Sequence, residues 1–103
     1  MAHIEDENPV FWARQTGSNW LPLPAGSATR LGVVASSKIG GAVIRTRAKR
    51  LLRESFRLHQ LELAQPLDLV LVARQSIVGK DLAVVERDFL AVLRKAGLLK
   101  AAA

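Results

Sequence analysis

The sequence contains no cysteine and no tyrosine, and aromatic side chains make up only 5% of its 103 residues. The absence of cysteine excludes a disulfide framework and any zinc site built on thiolates. Half of the residues are hydrophobic, so the chain can bury a core, but that core must be mainly aliphatic. The length suits one small domain, residues 1–103. We expect residues 9–97 to fold and residues 1–8 and 98–103 to be mobile.

Long hydrophobic runs are also missing. A membrane-spanning helix needs roughly 20 apolar residues, and no run in this chain approaches that length. The first ten residues, MAHIEDENPV, carry three acids where a secretory signal would carry positive charge. We therefore expect a cytoplasmic protein without a membrane partner.

Catalytic motifs are scarce as well. His3 and His59 are far apart in the sequence and form no zinc-binding pair. Arg74 stands where a phosphate-binding loop ending in Gly79 and Lys80 would need its first glycine. Ala35 stands where an S-x-x-K motif would need its serine. We predict no catalytic residue and no metal-binding residue.

The hydrophobic pattern predicts the order strand, strand, helix, strand, helix. The predicted strands occupy residues 9–15, 30–37 and 67–74, and the predicted helices occupy residues 42–63 and 81–97. Residues 16–29 are rich in Gly, Pro, Ser and Thr and predict a loop or a loosely held hairpin connection. Asp81 is a predicted N-cap and Gly97 a predicted C-terminal stop. A strand-helix-strand unit usually forms a parallel pair with a right-handed crossover, so the pattern predicts a small α/β sandwich.

Positive charge is concentrated in RTRAKRLLRESFR, residues 45–57, which contain six cations and one carboxylate. On a helical wheel, Lys49, Arg50, Arg53 and Arg57 form a stripe beside an apolar one. Several of these cations are spaced i,i+4, which is unfavourable without a counter-charge. A solvated face, a membrane-surface helix and a nucleic-acid docking site are the three interpretations. Arginine favours the third, because guanidinium groups bind phosphate bidentately and stack on bases. The predicted core-facing residues of this helix are Ile44, Ala48, Leu51, Leu52, Ser55 and Phe56.

Residues 30–57 read RLGVVASSKIGGAVIRTRAKRLLRESFR and closely resemble the protein subunit of bacterial ribonuclease P. In that family a strand RLG[IV]xxS leads into a lysine-rich turn and then into GxAVxRNRxKRxxRE. Asp68 and Arg74 bracket the following strand as they would in the family, and the resemblance extends over residues 30–97. The residues that match in register are Arg30, Leu31, Gly32, Ser36, Lys38, Gly40, Ala42, Val43, Arg45, Arg47, Lys49, Arg50, Arg53 and Glu54.

The resemblance implies both a fold and an activity. The family fold is a two-layer α/β sandwich (ribosomal-protein-S5-domain-2-like) with a C-terminal helix and a left-handed βαβ crossover through the basic helix, opposite to the usual hand. The family's catalyst is a large RNA that uses Mg²⁺, bound by that RNA and its substrate, to remove the 5′ leader from precursor tRNA. The protein is its RNA-binding subunit, which implies one protein for each catalytic RNA.

The resemblance also implies two contact regions. An RNR segment, here Arg45-Thr46-Arg47, would hold the catalytic RNA, while a cleft between the sheet and an N-terminal helix would receive the leader of the precursor tRNA. The RNA-binding residues would be Lys38, Arg45, Thr46, Arg47, Lys49, Arg50, Arg53 and Arg57. Arg30, Phe11 and Trp12 are the candidate leader-contacting residues of this chain. Phe11 and Trp12 would offer a partial stacking surface on the first strand, and the alternative is that they are core or hairpin residues.

This sequence departs from the family pattern at three places. Thr46 stands where the family has Asn, so a contact specific to an amide would be lost. Ser37 replaces one lysine of the turn. No basic helix precedes Pro9, so the family's N-terminal helix is expected to be missing. Two alternatives remain: a divergent RNA-binding protein of this fold that does not process tRNA, and an enzyme that acts without RNA.

Overall fold

The computed structural model describes the backbone of residues 2–3 and 16–100 and the side chains of residues 21–100. These residues form strands and two α-helices, and some of the connections between them contain short 3-10 turns. The strands are β1 (Ala2–His3), β2 (Thr16–Pro22), β3 (Arg30–Val34) and β4 (Leu67–Ala73), and the helices are α1 (Ala42–His59) and α2 (Leu82–Lys95). The strand expected at 9–15 lies outside the described residues.

The four strands form one sheet in the order β1-β2-β4-β3. β3 and β4 are parallel neighbours joined through α1, in a register that runs from Arg30 opposite Asp68 to Val34 opposite Val72. β2 pairs antiparallel with the other side of β4. The parallel strand-helix-strand unit predicted from the sequence is therefore confirmed, while the hand of its crossover stays a prediction.

β4 separates the sheet into a covered face and an open face. Leu67, Leu69 and Leu71 are at most 1% exposed and join the core formed with both helices. The alternate residues, including Asp68 and Val70, are only half-buried. β4 is therefore fully buried on one face alone. Because side chains alternate along a strand, Arg30 and Asp68 lie on the open face and Leu31 on the covered face.

α1 begins after Gly40 and Gly41, and its buried residues are Ala48, Leu52 and Ser55. The Ser55 hydroxyl donates to the carbonyl of Leu51 at 2.9 Å, which satisfies a polar group inside the core. The predicted apolar stripe is largely confirmed, because Leu51 and Phe56 are partly buried against the core. Ile44, at 39% exposure, is its outermost member.

α2 matches its prediction closely. The Asp81 carboxylate accepts a hydrogen bond from the backbone N–H of Val84 at 3.0 Å, so Asp81 caps the helix as expected. Gly97 follows the helix with φ of 73°, a left-handed conformation that favours glycine at a C-terminal stop. The buried residues of α2 are Val85, Phe89, Val92 and Leu93.

Three predicted boundaries are wrong. Residues 16–22 form β2 instead of a loop, because pairing with β4 outweighs the weak strand propensity of Gly, Ser, Asn and Pro. β3 stops at Val34 because Ser36 caps a 3-10 turn, Ser37–Ile39. α1 ends at His59 and is followed by a second 3-10 turn, Gln60–Glu62, instead of continuing to residue 63.

The chain stays packed beyond α2. Leu98 is 2% exposed. Its carbonyl accepts a hydrogen bond from the N–H of Ala64 at 2.8 Å, and the N–H of Lys100 donates to the carbonyl of Glu62 at 2.7 Å. Burial of Leu98 and these hydrogen bonds anchor the segment as far as Lys100, while the mobility expected for the end of the chain stays a prediction.

Candidate nucleic-acid interface

The outward side of α1 carries most of the predicted RNA-binding residues. Residues three or four positions apart lie on one side of a helix, so Thr46, Arg50, Arg53 and Arg57 form a single row. Arg47 lies next to this row, and all five side chains are exposed. We call these five residues the basic face. Their positions follow from the packing of α1, whose opposite side is buried in the core.

The five residues of the basic face differ in how far their polar groups are already engaged. Arg57 donates through Nε to Oε2 of Glu54 at 3.0 Å, and its Nη2 also bonds Oε1 of the same carboxylate. These hydrogen bonds hold the pKa of Glu54 below its usual value. The chain itself therefore supplies a counter-charge to Arg57.

Arg47 is engaged in a different way. Its Nη2 donates to the backbone carbonyl of Lys80 at 2.7 Å. By contrast, Arg50 and Arg53 form no hydrogen bond or ion pair with the described residues. These two guanidinium groups are therefore the members of the basic face whose charge and donors are most available to an external anion.

The predicted RNR segment does not form one patch. At 3.6 residues per turn, Arg45 and Arg47 point about 160° apart around α1. Arg45 is half-buried, and its Nε is enclosed without a hydrogen-bond partner among the described residues. Lys49 is also half-buried, at the margin of the basic face. Lys38 is exposed in the 3-10 turn that precedes α1.

Arg30, one of the predicted leader-contacting residues, is separate from the basic face. Arg30 donates through Nε and Nη2 to the two carboxylate oxygens of Asp68, each at 2.6 Å. The hydrogen bond from Arg30 lowers the pKa of Asp68. This pair lies on the open face of the sheet, whereas α1 packs on the covered face. Phe11 and Trp12 lie outside the described residues.

Two grooves flank the basic face. The larger one, of about 530 Å³, lies between α1 and β3. The smaller one, of about 400 Å³, follows the first half of α1. Thr46 and Arg50 line both grooves and therefore form the ridge between them. The larger groove is lined by Leu31, Thr46, Arg50, Arg53, Glu54, Phe56 and Arg57. The smaller groove is lined by Ala42, Val43, Thr46, Arg47 and Arg50.

Lys80 is a cation that the sequence did not assign to this site. It ends the connector between β4 and α2, and the bond from Arg47 holds its backbone against α1. Its side chain is exposed. No local signal could have placed it there, because the contact joins residues 33 positions apart.

Metal sites and membrane-spanning helices have requirements of their own. In residues 21–100, no group of three or more His, Cys, Asp or Glu side chains is arranged to hold a metal ion. Over the same part of the chain, no helix is long and apolar enough to cross a membrane. What the basic face offers chemically is two guanidinium groups, unpaired among the described residues, beside grooves, an arrangement suited to phosphates.

Comparison with known proteins identifies the family. The family model described as Ribonuclease P matches residues 5–97. A ribonuclease P protein component from Alkaliphilus oremlandii is 40% identical over 103 residues, an alignment that covers 95% of this chain and 90% of that protein. The chain belongs to the ribonuclease P protein family. A family member from Clostridium perfringens is 42% identical over 69 residues, which cover 67% of this chain. This chain spans only 55% of the length of that clostridial relative.

Solved structures of family members share the fold. The ribonuclease P protein of Staphylococcus aureus superposes with a TM-score of 0.75 at 26% identity, covering 95% of this chain and 84% of that one. The ribonuclease P protein of Thermotoga maritima gives a TM-score of 0.70 at 23% identity, covering 90% and 83% of the two chains. The α/β family fold expected from the motif in residues 30–57 is therefore confirmed.

Proposed function

We propose that this chain is the RNA-binding protein subunit of a ribonuclease P, which assists a catalytic RNA in removing the 5′ leader from precursor tRNA. The observation that carries the proposal is the basic face of α1, which occurs in a chain that belongs to the ribonuclease P protein family. Arg50 and Arg53 present charges that no described residue neutralises. Phosphate is the natural counter-charge, because its oxygens match the fork of guanidinium donors.

In this proposal the protein acts by electrostatics and positioning. Two polyanions, the catalytic RNA and the precursor tRNA, repel each other, and the arginines of the basic face replace condensed counterions on one of them. Mg²⁺ held by the RNA would supply the charge stabilisation that phosphodiester hydrolysis needs. One protein would bind one catalytic RNA through α1, and no protein side chain would act as acid, base or nucleophile.

The test is reconstitution with a bacterial ribonuclease P RNA and a precursor tRNA at low Mg²⁺. The double variant Arg50→Ala, Arg53→Ala removes the two most available charges without removing a hydrogen bond or ion pair among the described residues. The double variant Arg87→Ala, Arg94→Ala is the control, because it removes the same charge from exposed positions on α2. We expect the wild type and the control to stimulate cleavage at the mature 5′ end. Stimulation of cleavage by the α1 variant should be about tenfold weaker than stimulation by the wild type.

RNA affinity measured against salt sharpens this test. Each lost phosphate contact changes the slope of log affinity against log salt by about 0.7 to 0.9. The α1 variant should therefore have a slope smaller in magnitude by roughly 1.5, while the α2 control keeps the wild-type slope.

Three results would contradict the proposal in different ways. RNA binding without stimulation by the wild type would rule out the role in tRNA processing and favour a divergent RNA-binding protein. Absence of RNA binding would rule out docking through the basic face. Cleavage by the purified protein without RNA would show that the chemistry was assigned to the wrong subunit.

A further inference from the structure

The larger groove contains features that phosphate binding does not require. Leu31 from β3 and Phe56 from α1 line it with apolar surface. Arg50 and Arg53 line the same groove and have no charge partner among the described residues. A site that recognised only phosphates would need the cations but not the apolar walls. The groove therefore combines a surface for a flat apolar group with charges for the backbone that carries it.

An unstacked nucleobase has this combination of properties. Proteins that recognise RNA at loops and bulges stack the splayed base on an aromatic ring or a guanidinium plane, while basic side chains hold the flanking phosphates. Here Phe56 supplies the aromatic ring, and Arg50 and Arg53 supply the cations within the same lining.

We propose that the groove between α1 and β3 receives one unstacked base of the RNA partner. This inference rests on the proposed function, because it names how the basic face contacts RNA. Phe56 packs partly against the core, so its ring is held in place before RNA binds. Such preorganisation lowers the entropy lost on binding.

Glu54 adds a hydrogen-bond acceptor to the groove. Its carboxylate is fixed by two hydrogen bonds from Arg57, and both residues belong to the lining. Exocyclic amino groups of bases are donors, which a fixed carboxylate can accept. The charge pair also makes this end of the groove less positive than the end at Arg50. The phosphates should therefore lie towards Arg50 and Arg53.

The experiment uses the full chain and an RNA hairpin with a single bulged nucleotide. One hairpin carries 2-aminopurine at the bulge, and its partner carries an abasic residue at the same position. The two RNAs have the same number of phosphates and the same interruption of the duplex, so they differ only by the base. We expect the hairpin with the base to bind about tenfold more tightly. We also expect 2-aminopurine fluorescence to change as the base leaves the RNA stack and enters the groove.

Two matched variants locate the base. Phe56→Leu keeps an apolar side chain in the groove but removes the ring, and it should reduce the tenfold preference to less than threefold. Phe89→Leu makes the same chemical change in the core, where Phe89 is 1% exposed, and should keep the full preference. Circular dichroism at the assay temperature confirms that both variants are folded.

The outcomes separate this inference from the proposed function. Equal affinity of the wild type for the two hairpins, with unchanged fluorescence, would overturn the base site and leave docking through the arginines intact. A preference that survives in Phe56→Leu would also overturn it, because the base would then lie elsewhere. Failure of both hairpins to bind would instead contradict the proposed function itself.

Discussion

The two helices share one core but contribute to it very differently. α2, with 14 residues, buries Val85, Phe89, Val92 and Leu93 and begins at a side-chain cap. α1, with 18 residues, buries only Ala48, Leu52 and Ser55 and begins at Gly41 without a side-chain cap. The longer helix thus buries fewer side chains, and two of its three, Ala48 and Ser55, are small. Its stability depends on packing against the rest of the fold more than on its own sequence.

The two helices also differ in their charged residues. α2 mixes acids and bases along its exposed side, as surface helices commonly do. α1 carries six cations and only Glu54 as an acid. Repulsion between like charges at i,i+4 costs about 0.2–0.5 kcal/mol per pair in isolated helices. The comparison indicates that α2 mainly stabilises the fold. α1 mainly presents positive charge at the surface, and the repulsion between its cations lowers the stability of the fold.

The largest expected effect is on α2. Phe89→Ala removes a ring that is 1% exposed, and we expect a loss of about 3–5 kcal/mol in the free energy of unfolding. Val43→Ala on α1, where the side chain is 83% exposed, should change that free energy by less than about 0.5 kcal/mol. Urea denaturation measures both. Similar losses for the two variants would contradict the division between the helices.

A smaller effect is expected where α1 begins. Gly40 has φ of 150°, and a Cβ built there would lie 2.8 Å from Cδ1 and 2.9 Å from Cγ2 of Ile44. Gly40→Ala should therefore destabilise the protein by about 1–3 kcal/mol through strain and crowding. Gly41→Ala is the control, because its Cβ would meet no atom within 4 Å. Because Gly41 is the N-cap of α1 and alanine is a poorer N-cap than glycine, the control should cost about 0.5–1 kcal/mol, less than the Gly40 variant. Thermal unfolding that shows equal losses would contradict this account of the start of α1.

Sequence patterns predicted the features that depend on neighbouring residues. The limits of α2, its Asp81 cap and the stop at Gly97 follow from local rules. The family motif identified the helix whose outer side forms the basic face. The pairing of Glu54 with Arg57 could also have been predicted, because i,i+3 ion pairs are a known feature of helices.

The features that escaped prediction depend on distant parts of the chain. Thr16–Pro22 becomes a strand through its pairing with β4, and its own composition resembles a loop. The bond from Arg47 to Lys80 and the pair of Arg30 with Asp68 join residues 33 and 38 positions apart. The larger groove exists only because β3 and α1 come together in the fold.

The smallest expected effect concerns His59, where α1 meets α2. Its Nδ1 contacts the carboxylate of Glu62, and its Nε2 lies 3.1 Å from Oε2 of Glu86 on α2, close enough for an ion pair. The hydrogen bond with Glu62 is the main cause that raises the pKa of His59 above its usual value, against an opposing effect of burial. Because folding raises this pKa, protonated His59 stabilises the folded state. That stabilisation is complete below about pH 6.5 and is lost as the pH rises through the folded-state pKa.

The variant His59→Gln should therefore be less stable than the wild type at pH 5.5 and close to it at pH 9. We expect a difference below about 1 kcal/mol at the lower pH, because partly exposed ion pairs are weak. Urea denaturation across this range measures it. Glu86→Gln removes only the contact to α2, so a partial loss of the pH dependence in that variant would show that the histidine joins the two helices. A His59→Gln deficit that stays constant from pH 5.5 to 9 would mean that His59 acts by packing and not by charge.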